Sequence, residues 1–328
     1  MGKNYTAAEE PLPESDWEEV RADELHAARV PRSLAGLRLD QALAKTFPQY
    51  SRSRLQAWLK TGHVKVKRGG AELRVEGSTE VSGGESIELT PPPAADAARP
   101  PAQRMPLKIV YEDADLIVVD KPAGLIVHPG AGNPDRTLLN GLLAHAPELR
   151  QVPRAGIVHR LDKDTSGLLV VARNLGAQAR LAAQLAERSV KRSYLALAHG
   201  DPPAHGIIDA PIGRDTRLRT RMAVTHRGKE ARTSFRVLER FGNAALLECR
   251  LETGRTHQIR VHLQHIGHPL LGDSVYLRGA RRSLPFARQA LHAAELELAH
   301  PRSGKPMRWS APLPADMKKL LAKLRRDS

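Results

Sequence analysis

The chain has 328 residues and a single cysteine, Cys249. One cysteine excludes an internal disulfide and any metal site built from several cysteines, and it is typical of a reducing cytoplasm. The formal net charge of +15 favours a polyanionic partner, with nucleic acid ahead of an acidic membrane surface, and no apolar run approaches the ~18 residues of a transmembrane helix.

The first segment along the chain is acidic. Residues 1–27 hold eight acidic side chains against two basic ones, a net charge of −6, so the rest of the chain carries +21. These residues show neither the basic nor the apolar region of a secretory signal. Because they have little to bury, they are predicted to form a disordered tail, which either stays solvated or masks the basic surface.

Residues 28–90 are predicted to form a small module of two helices and a strand. Apolar residues four apart give the first helix one apolar face, and Pro48 ends it. Ser51 is the predicted N-cap of the second helix, which Gly62 closes. Residues 64–67 alternate valine with lysine, which indicates a half-exposed strand leading into a glycine turn.

Basic side chains dominate this module. Between residues 29 and 68 there are ten, against one acidic residue, Asp40. This bias suits a phosphate backbone, while a solvated charged face is the simpler alternative. The stretch SRSRLQAWLKTGHVKV resembles the S4-like domain of a ribosomal small-subunit protein and of tyrosyl-tRNA synthetases, which implies binding to structured RNA. The candidate RNA contacts are Arg38, Arg52, Arg54, Lys60, Lys65 and Lys67.

A second module is predicted after a proline- and alanine-rich linker at residues 91–105. Residues 106–328 mix strand and helix patterns without regular alternation, which predicts an α+β domain with a largely antiparallel sheet. The predicted strands are residues 116–119, 168–171, 232–238 and 244–251, the last two forming a hairpin around residues 241–243. The predicted helices are residues 175–188 and 316–326.

The stretch HRLDKDTSG at residues 159–167 places Asp162 between two cations, Arg160 and Lys163, just before a buried strand. An acidic side chain in that setting is suited to polar chemistry on an anionic substrate. The alternative is structural: Asp162 caps a turn and pairs with Arg160, as ion pairs outside active sites commonly do.

A third cluster, residues 251–268, contains three histidines spaced three residues apart: His262, His265 and His268. This spacing raises the alternative of a metal-dependent hydrolase. A metal is disfavoured because the stretch offers no cysteine to complete a ligand shell and because Arg255 and Arg260 would repel a cation. The two arginines suit an anionic backbone or a buried carboxylate instead.

Three motifs in this order resemble the RluA/RluD family of pseudouridine synthases: HRLDKDTSG, KRSYLALAHG and ETGRTHQIRVHLQHIGHPLLGDSVY. The sequence KPAG at residues 121–124 is similar to an upstream family element. The resemblance covers about residues 30–328. The runs PRAGIVHRLDKDTSG and THRGKEARTSFRVLERF resemble the RluD branch most, which implies action on large-subunit ribosomal RNA in the helix 69 stem-loop. A sister branch with the same two modules acts at other large-subunit sites.

The resemblance implies a role for each matched residue. Asp162 matches the catalytic nucleophile, Arg260 the arginine that pairs with it, and Tyr194 the tyrosine that stacks on the flipped uracil. Contacts to the RNA around the flipped base are expected from Arg160, Arg255 and His159. The residues Ile259 and Val261 are expected either as apolar walls of the uracil pocket or as ordinary core.

The same resemblance implies no cofactor and no metal, because the reaction is an isomerisation. The expected partner is large-subunit ribosomal RNA or a pre-ribosomal particle, without a membrane, and the protein is predicted to be cytoplasmic and monomeric. A non-catalytic RNA-binding assembly factor would use the same basic surface but would not need Asp162.

Overall fold

The computed structural model describes residues 25–47, 50, 52–91, 100–130, 133–216, 218, 221–277 and 286–328. Most of the predicted acidic tail, the predicted helix stop at Pro48, the cap at Ser51, the side chain of Arg54 and most of the predicted linker lie outside these residues. The chain divides into two compact units at residues 99 and 100. None of the helices described is long and apolar enough to cross a membrane.

The first unit contains a four-stranded antiparallel sheet in the order β1-β4-β2-β3, with two helices packed against it. The predicted helix pair and the alternating strand are therefore confirmed. A short 3-10 helix precedes α1. The elements are β1 (His26–Arg29), α1 (Leu39–Thr46), α2 (Arg52–Lys60), β2 (Val64–Arg68), β3 (Ala71–Glu72) and β4 (Ser86–Leu89).

A buried carboxylate joins the two helices of this unit. Asp40 is fully buried and accepts hydrogen bonds from Arg38 Nε at 3.3 Å, from the Arg52 guanidinium at 2.8 Å and from the Gln56 amide. Burial acts to raise the pKa of Asp40, but these hydrogen bonds outweigh it and lower that pKa below its usual value. Two of the candidate RNA contacts, Arg38 and Arg52, are thus ion-paired inside the unit.

The lysines among the candidate RNA contacts of the first unit differ in whether they are already paired within the protein. Lys67 donates to Glu88 Oε1 across the sheet at 2.6 Å. Lys60 and Lys65 are exposed. An exposed lysine on a flexible stem can reach a phosphate without breaking a protein contact, so these two are the better placed of the set.

The second unit is built on one nine-stranded sheet in the order β5-β6-β7-β14-β8-β13-β12-β9, with β15 also paired to β14. All pairings are antiparallel except the short one between β7 and β14. Strands β10 and β11 form a separate antiparallel pair. The strands are β5 (Lys108–Glu112), β6 (Leu116–Lys121), β7 (Ser166–Ala172), β8 (Lys191–His199), β9 (His205–Asp209), β10 (Ile212–Arg214), β11 (Met222–Val224), β12 (Arg232–Phe241), β13 (Ala244–Leu251), β14 (Leu291–Ala299) and β15 (Pro306–Ser310).

The predicted mixed α/β character and the antiparallel-rich sheet are confirmed, as is the hairpin of β12 and β13. The helices are α3 (Leu138–His145), α4 (Leu175–Ala186), α5 (Gln258–His265) and α6 (Ala315–Asp327), with 3-10 helices at Pro147–Gln151 and Pro153–Gly156. Helix α4 ends two residues before the predicted bound because Arg188 adopts a left-handed φ of 61° and Ser189 N–H returns to Gln184 O.

Three packed layers hold the site in place. Helices α3 and α5 pack on one face of the large sheet, α4 packs on the other, and α6 packs near β12 and β13. The parallel contact between β7 and β14 is very close, because a Cβ at Gly167 would lie 2.2 Å from Ala293 O. Only glycine, with its φ of 110°, permits that approach directly after the HRLDKDTS loop.

Residues 101–105, which the sequence assigned to the linker, lie against α3 in the second unit. Asn140 donates its side-chain amide to Pro101 O at 2.9 Å, and Gln103 N–H donates to Asn140 O at 2.9 Å. Met105 packs so closely on Gly141 that a Cβ there would come within 2.7 Å of its side chain. Helix α3 needs these residues as part of its packing surface.

Candidate active site

Asp162 lies in the loop that leads into the N-terminal end of β7, an interior strand of the large sheet. Thr165 N–H donates to Asp162 O at 3.1 Å and closes the turn. The Asp162 side chain accepts from Arg260 at 3.1 Å through Oδ2 and is 19% exposed. Arg160 donates to Thr256 Oγ1 instead, and Lys163 is exposed. The cation that fixes Asp162 therefore comes from α5, 98 residues further along the chain.

A second carboxylate orients Arg260. Its Nε and one terminal nitrogen donate to the two oxygens of Asp273 at 2.8 and 3.0 Å, which leaves the other terminal nitrogen for Asp162. Both side chains are buried, at 5% and 0% exposure. Burial acts to lower the pKa of Arg260, but the hydrogen bonds and charge of Asp273, together with Asp162, raise it above its usual value. Arg260 is permanently charged and rigidly aimed.

Asp273 is itself held by the chain that follows it. Val275 N–H and Tyr276 N–H donate to its Oδ1 at 2.9 and 3.1 Å. The Tyr276 ring lies with its centroid 5.1 Å from the Arg260 guanidinium carbon, within the range of a cation–π contact. The segment at residues 273–276 thus supports Arg260 from two sides.

His257 approaches the other oxygen of Asp162. It occupies the N-cap of α5 with a left-handed φ of 56°, and its Nε2 lies 3.9 Å from Asp162 Oδ1. Its Nδ1 lies 2.9 Å from the Tyr276 hydroxyl, which already accepts Met222 N–H at 3.0 Å. The arrangement that uses every group has Tyr276 donating to Nδ1, so that Nε2–H faces Asp162. Burial lowers the pKa of His257, which favours this neutral form.

The Asp162–Arg260 pair opens onto a cleft of about 480 Å³. Tyr194, on β8, lines it and is 5% exposed, and burial raises the pKa of its hydroxyl. Ile259 also lines the cleft, whereas Val261 packs in a separate core cluster with Ile212 and Tyr276. A cleft of this size takes a small molecule or one extruded nucleotide.

Arginines form much of the cleft wall. The members are Arg154, Arg160, Arg192, Arg255 and Arg260. Arg255 is anchored by its Nε, which donates to Glu230 O at 2.9 Å, so its guanidinium is fixed at the rim. A concave surface with this charge attracts an anionic ligand.

His159 also lines the cleft, but one of its ring nitrogens makes a hydrogen bond to the backbone of β7. Its Nε2 accepts Val170 N–H at 3.1 Å, and burial lowers its pKa to about 3. The ring is neutral at physiological pH and joins the Asp162 loop to β7. Only its Nδ1 is left for the RNA contact that the resemblance implied.

Lys121 lies beneath the same loop, fully buried. Its Nζ donates to three carbonyl oxygens, those of Pro122 and Leu125 at 3.0 and 2.9 Å and that of Lys163 at 2.9 Å. Gly124 N–H donates to Lys163 O as well. Burial lowers the pKa of Lys121 to about 8, against the opposing charges of Asp162 and Asp164. The KPAG turn and the Asp162 loop are thus one structural unit.

Two of the three histidines of residues 262–268 make separate contacts, and His265 is exposed. His262 uses both ring nitrogens, with Thr233 Oγ1 and Ala210 O, and His268 Nδ1 contacts His199 O. Across the described ranges, the group of acidic and imidazole ligands close enough for a metal is Asp113, Asp115 and His300, which does not line the cleft. Arg302 donates to Asp115 there at 2.8 Å, which opposes a cation.

Four residues that position the site were missed by reasoning from the sequence: Lys121, His257, Asp273 and Tyr276. Each stands inside a motif that the sequence displays, in KPAG, GRTHQIR and LLGDSVY. That position was the available signal. What the sequence lacked was the pairing of Asp273 with Arg260, which depends on how the chain turns after α5.

Comparison with known proteins identifies relatives along the whole chain. A family described as RNA pseudouridylate synthase matches residues 115–265, a span that includes Asp162, Tyr194 and Arg260. Ribosomal large subunit pseudouridine synthase D of Nitrosomonas europaea is 54% identical over 99% of this chain and 94% of its own length. The protein of the same name from Pseudomonas aeruginosa is 51% identical over 92% of this chain and 96% of its own.

Two solved structures are similar to about two thirds of the chain. Human RNA pseudouridylate synthase domain containing 1 superposes with a TM-score of 0.53 at 30% identity, covering 69% of this chain and 97% of its own. Human RNA pseudouridylate synthase domain containing 4 gives a TM-score of 0.54 at 27% identity, covering 66% and 93%.

Proposed function

Because the chain belongs to the RluA/RluD family of RNA pseudouridine synthases, we propose that it converts uridines of large-subunit ribosomal RNA to pseudouridine with Asp162 as the nucleophile. The observation that carries the assignment of Asp162 is its geometry. Asp162 is a half-buried carboxylate at a basic cleft, held by an arginine that a second carboxylate fixes in turn. The relatives named above supply the substrate class.

The chemistry requires one bond to break and another to form at the same ribose carbon. The N1–C1′ bond of uridine breaks, the uracil turns, C5 bonds to C1′, and the proton of C5 leaves while N1 gains one. A carboxylate can add and leave again, which divides a difficult step into two. Attack on the uracil ring and attack on C1′ both use Asp162 in this position. Arg260 keeps the carboxylate ionised and oriented through either course.

The target base has to leave its stack, because a stacked base hides the atoms that react. The cleft offers Tyr194 as a flat surface for the flipped uracil and Ile259 as an apolar wall. Arg160 lies at the exposed rim, where it can fill the space that the base leaves. Val261 supports α5 from the core rather than the uracil directly.

The first unit is assigned the task of RNA affinity and site choice, as an S4-like domain. Support comes from its basic surface, of which Lys60 and Lys65 are exposed. Within large-subunit ribosomal RNA, the helix 69 stem-loop is the proposed target, by the likeness of the sequence motifs to the RluD branch. We assign a monomer and a cytoplasmic location to the same proposal, with the second domain beginning at residue 100 rather than at the predicted residue 106.

The sister branch is the alternative because both branches share the two-module layout. Mapping pseudouridines in ribosomal RNA from a deletion strain distinguishes the two targets. Loss of pseudouridine in helix 69 supports the proposed target. Loss only at other large-subunit positions overturns it and leaves the reaction class intact.

The catalytic assignment is tested by Asp162→Asn in the full chain. This variant keeps the shape of the side chain and removes the nucleophile, so tritium release from RNA labelled at uracil C5 should fall by on the order of 10⁴-fold or more. Binding of the RNA should persist. Asp164→Asn, two residues further on in the same loop, is the control and should stay within a few-fold of wild type.

Turnover of Asp162→Asn close to that of wild type would remove Asp162 from the chemistry. RNA binding by wild type without any tritium release would instead favour the assembly factor. The two results separate an error in the residue from an error in the reaction class.

A further inference from the structure

Arg192 is a buried cation that forms no ion pair with a carboxylate among the described residues. It is 8% exposed, and its hydrogen bond within the described residues is a long one, from a terminal nitrogen to Thr253 O at 3.5 Å. Its Nε is buried and has no partner in that part of the chain. Arg260 and Arg288, which are buried to a similar extent, each pair with an aspartate. An uncompensated buried charge costs several kcal/mol, so its presence calls for an explanation.

The position of Arg192 connects it with the site. It lines the cleft and stands two residues before Tyr194 on β8, so both side chains point to the same face of the sheet. A Cβ at Gly254 would lie 2.9 Å from a terminal nitrogen of Arg192. The glycine of the ETGRTHQIR motif therefore leaves the space that the guanidinium occupies.

A second unpartnered nitrogen lies in the same cleft. His128 Nε2 is buried without a hydrogen bond among the described residues, and the side chain lines the cleft with Arg154 and Arg160. Burial, together with the charges of Arg154 and Arg160, lowers the pKa of His128, so the ring is neutral and can offer an N–H without repelling these arginines. Two side chains that line the cleft thus each have a buried nitrogen without a hydrogen-bond partner among the described residues.

We propose that Arg192 and His128 form an anion-binding subsite that takes a phosphodiester group of the RNA strand next to the target uridine. A phosphate offers the multiple acceptors and the negative charge that a buried guanidinium lacks here. This subsite rests on the proposed function for the identity of its ligand. It gives the cleft a means of holding the flipped nucleotide by its backbone while Asp162 and Tyr194 act on the ribose and the base.

The subsite has a consequence for the protein alone. Replacing Arg192 by methionine keeps a long side chain and removes the uncompensated charge, so the melting temperature of the free protein should rise by a few degrees while RNA affinity falls at least tenfold. The matched control is Arg250→Met on the neighbouring strand β13. Arg250 is 65% exposed and paired with Glu248, so its loss should move neither quantity comparably.

Inorganic sulfate supplies an arm that needs no RNA. It should raise the melting temperature of wild type and of Arg250→Met by more than that of Arg192→Met, because only the first two retain the buried guanidinium. An equal rise in all three proteins overturns the subsite. This result is independent of which RNA the enzyme modifies, so failure here and failure of the proposed function are distinguishable.

The ligand chemistry is tested with the helix 69 stem-loop in which uncharged methylphosphonate linkages replace, one at a time, the phosphates around the target uridine. At one linkage, wild type should lose about tenfold in affinity while Arg192→Met loses nothing further, as expected for two directly interacting groups. Arg192→Gln is measured alongside, so that a folding failure of the methionine variant does not decide the matter.

Equal sensitivity of wild type and both Arg192 variants at every linkage overturns the phosphate assignment. In that case, reduced turnover of the Arg192 variants with unchanged affinity would point to a carbonyl oxygen of the uracil as the group that Arg192 binds.

Discussion

The tripeptide Arg-Leu-Asp occurs in both units, as residues 38–40 and 160–162, and the two copies have different fates. In both, the leucine is buried. Asp40 pairs with Arg38 of its own tripeptide, and with Arg52, and is wholly buried. Asp162 does not pair with Arg160 of its own tripeptide. It pairs with Arg260, 98 residues further along the chain, and remains partly exposed in a cleft.

The difference lies in how much of each carboxylate the protein uses. Three side chains donate to Asp40, which leaves it little capacity for anything outside the fold. Among the described residues, Asp162 receives one side-chain hydrogen bond, on Oδ2, while His257 lies 3.9 Å from its Oδ1. A charge that is oriented but not saturated is available for reaction, whereas a saturated charge is part of the scaffold.

Arg260→Lys tests this contrast between the two aspartates and is expected to have the largest effect on the rate of pseudouridine formation. Lysine keeps a positive charge but cannot hold Asp273 with two hydrogen bonds and Asp162 with a third, so the carboxylate loses its orientation. Single-turnover formation of pseudouridine should slow by on the order of a hundredfold or more, the loss of about 2.7 kcal/mol of transition-state stabilisation.

Arg255→Lys is the control for that variant. Arg255 lines the same cleft but is anchored on Glu230 O, and its substitution should slow the same step by no more than a few-fold. If the two variants slow equally, the Asp162–Arg260 pair has no special role in orienting the nucleophile.

A smaller effect of a different kind is expected for Asp40→Asn. Loss of the carboxylate leaves two half-exposed arginines to return to water, so the first unit should lose about 1–3 kcal/mol of stability. Turnover at saturating RNA should stay within a few-fold of wild type, because the cleft lies in the second unit. Urea unfolding followed by Trp58 fluorescence, with Trp17 and Trp309 replaced by phenylalanine in both proteins, measures the stability. A matched loss of turnover would contradict the contrast between the two aspartates.

Features that depend on neighbouring residues in the chain could be predicted from the sequence, whereas features that depend on contacts between distant residues could not. The helices of the first unit and the hairpin of β12 and β13 depend on local patterns, and the sequence displays them. The motifs also placed Asp162, Tyr194 and Arg260 at one site. The role of Asp273 depends on a contact across a turn, and the burial of Arg192 without a carboxylate among the described residues depends on the strand register of β8. No local pattern encodes either.

A further effect concerns pH and separates the two units. The pKa of His159 is about 3 in the folded protein, against 6.5 for an ordinary histidine, so the unfolded chain takes up a proton that the folded chain refuses. This contribution to stability is present above about pH 6.5 and is lost as pH falls toward 3, by up to about 1.4 kcal/mol per pH unit. The lowered pKa of Asp40 has the same sign, but its contribution is lost only below its ordinary value of 3.8.

The variant His159→Gln isolates the contribution of His159 to the pH dependence of stability, because glutamine can still accept Val170 N–H but does not titrate. The stability difference between wild type and the variant, measured by urea unfolding, should shift toward the variant between pH 6.5 and 5. A constant stability difference over that pH range would show that His159 takes up its proton in the folded state as readily as in the unfolded state.

Lys121 gives the second unit a cation that cannot diffuse away. Its ammonium group sits among three carbonyl oxygens, an arrangement that a loop often obtains by capturing an ion from solution. Here the cation is tethered by a side chain, so its effective concentration at the loop is fixed by the covalent chain. The turn that carries Asp162 is therefore bridged by a cation that the chain itself supplies, and this bridge requires no ion from solution.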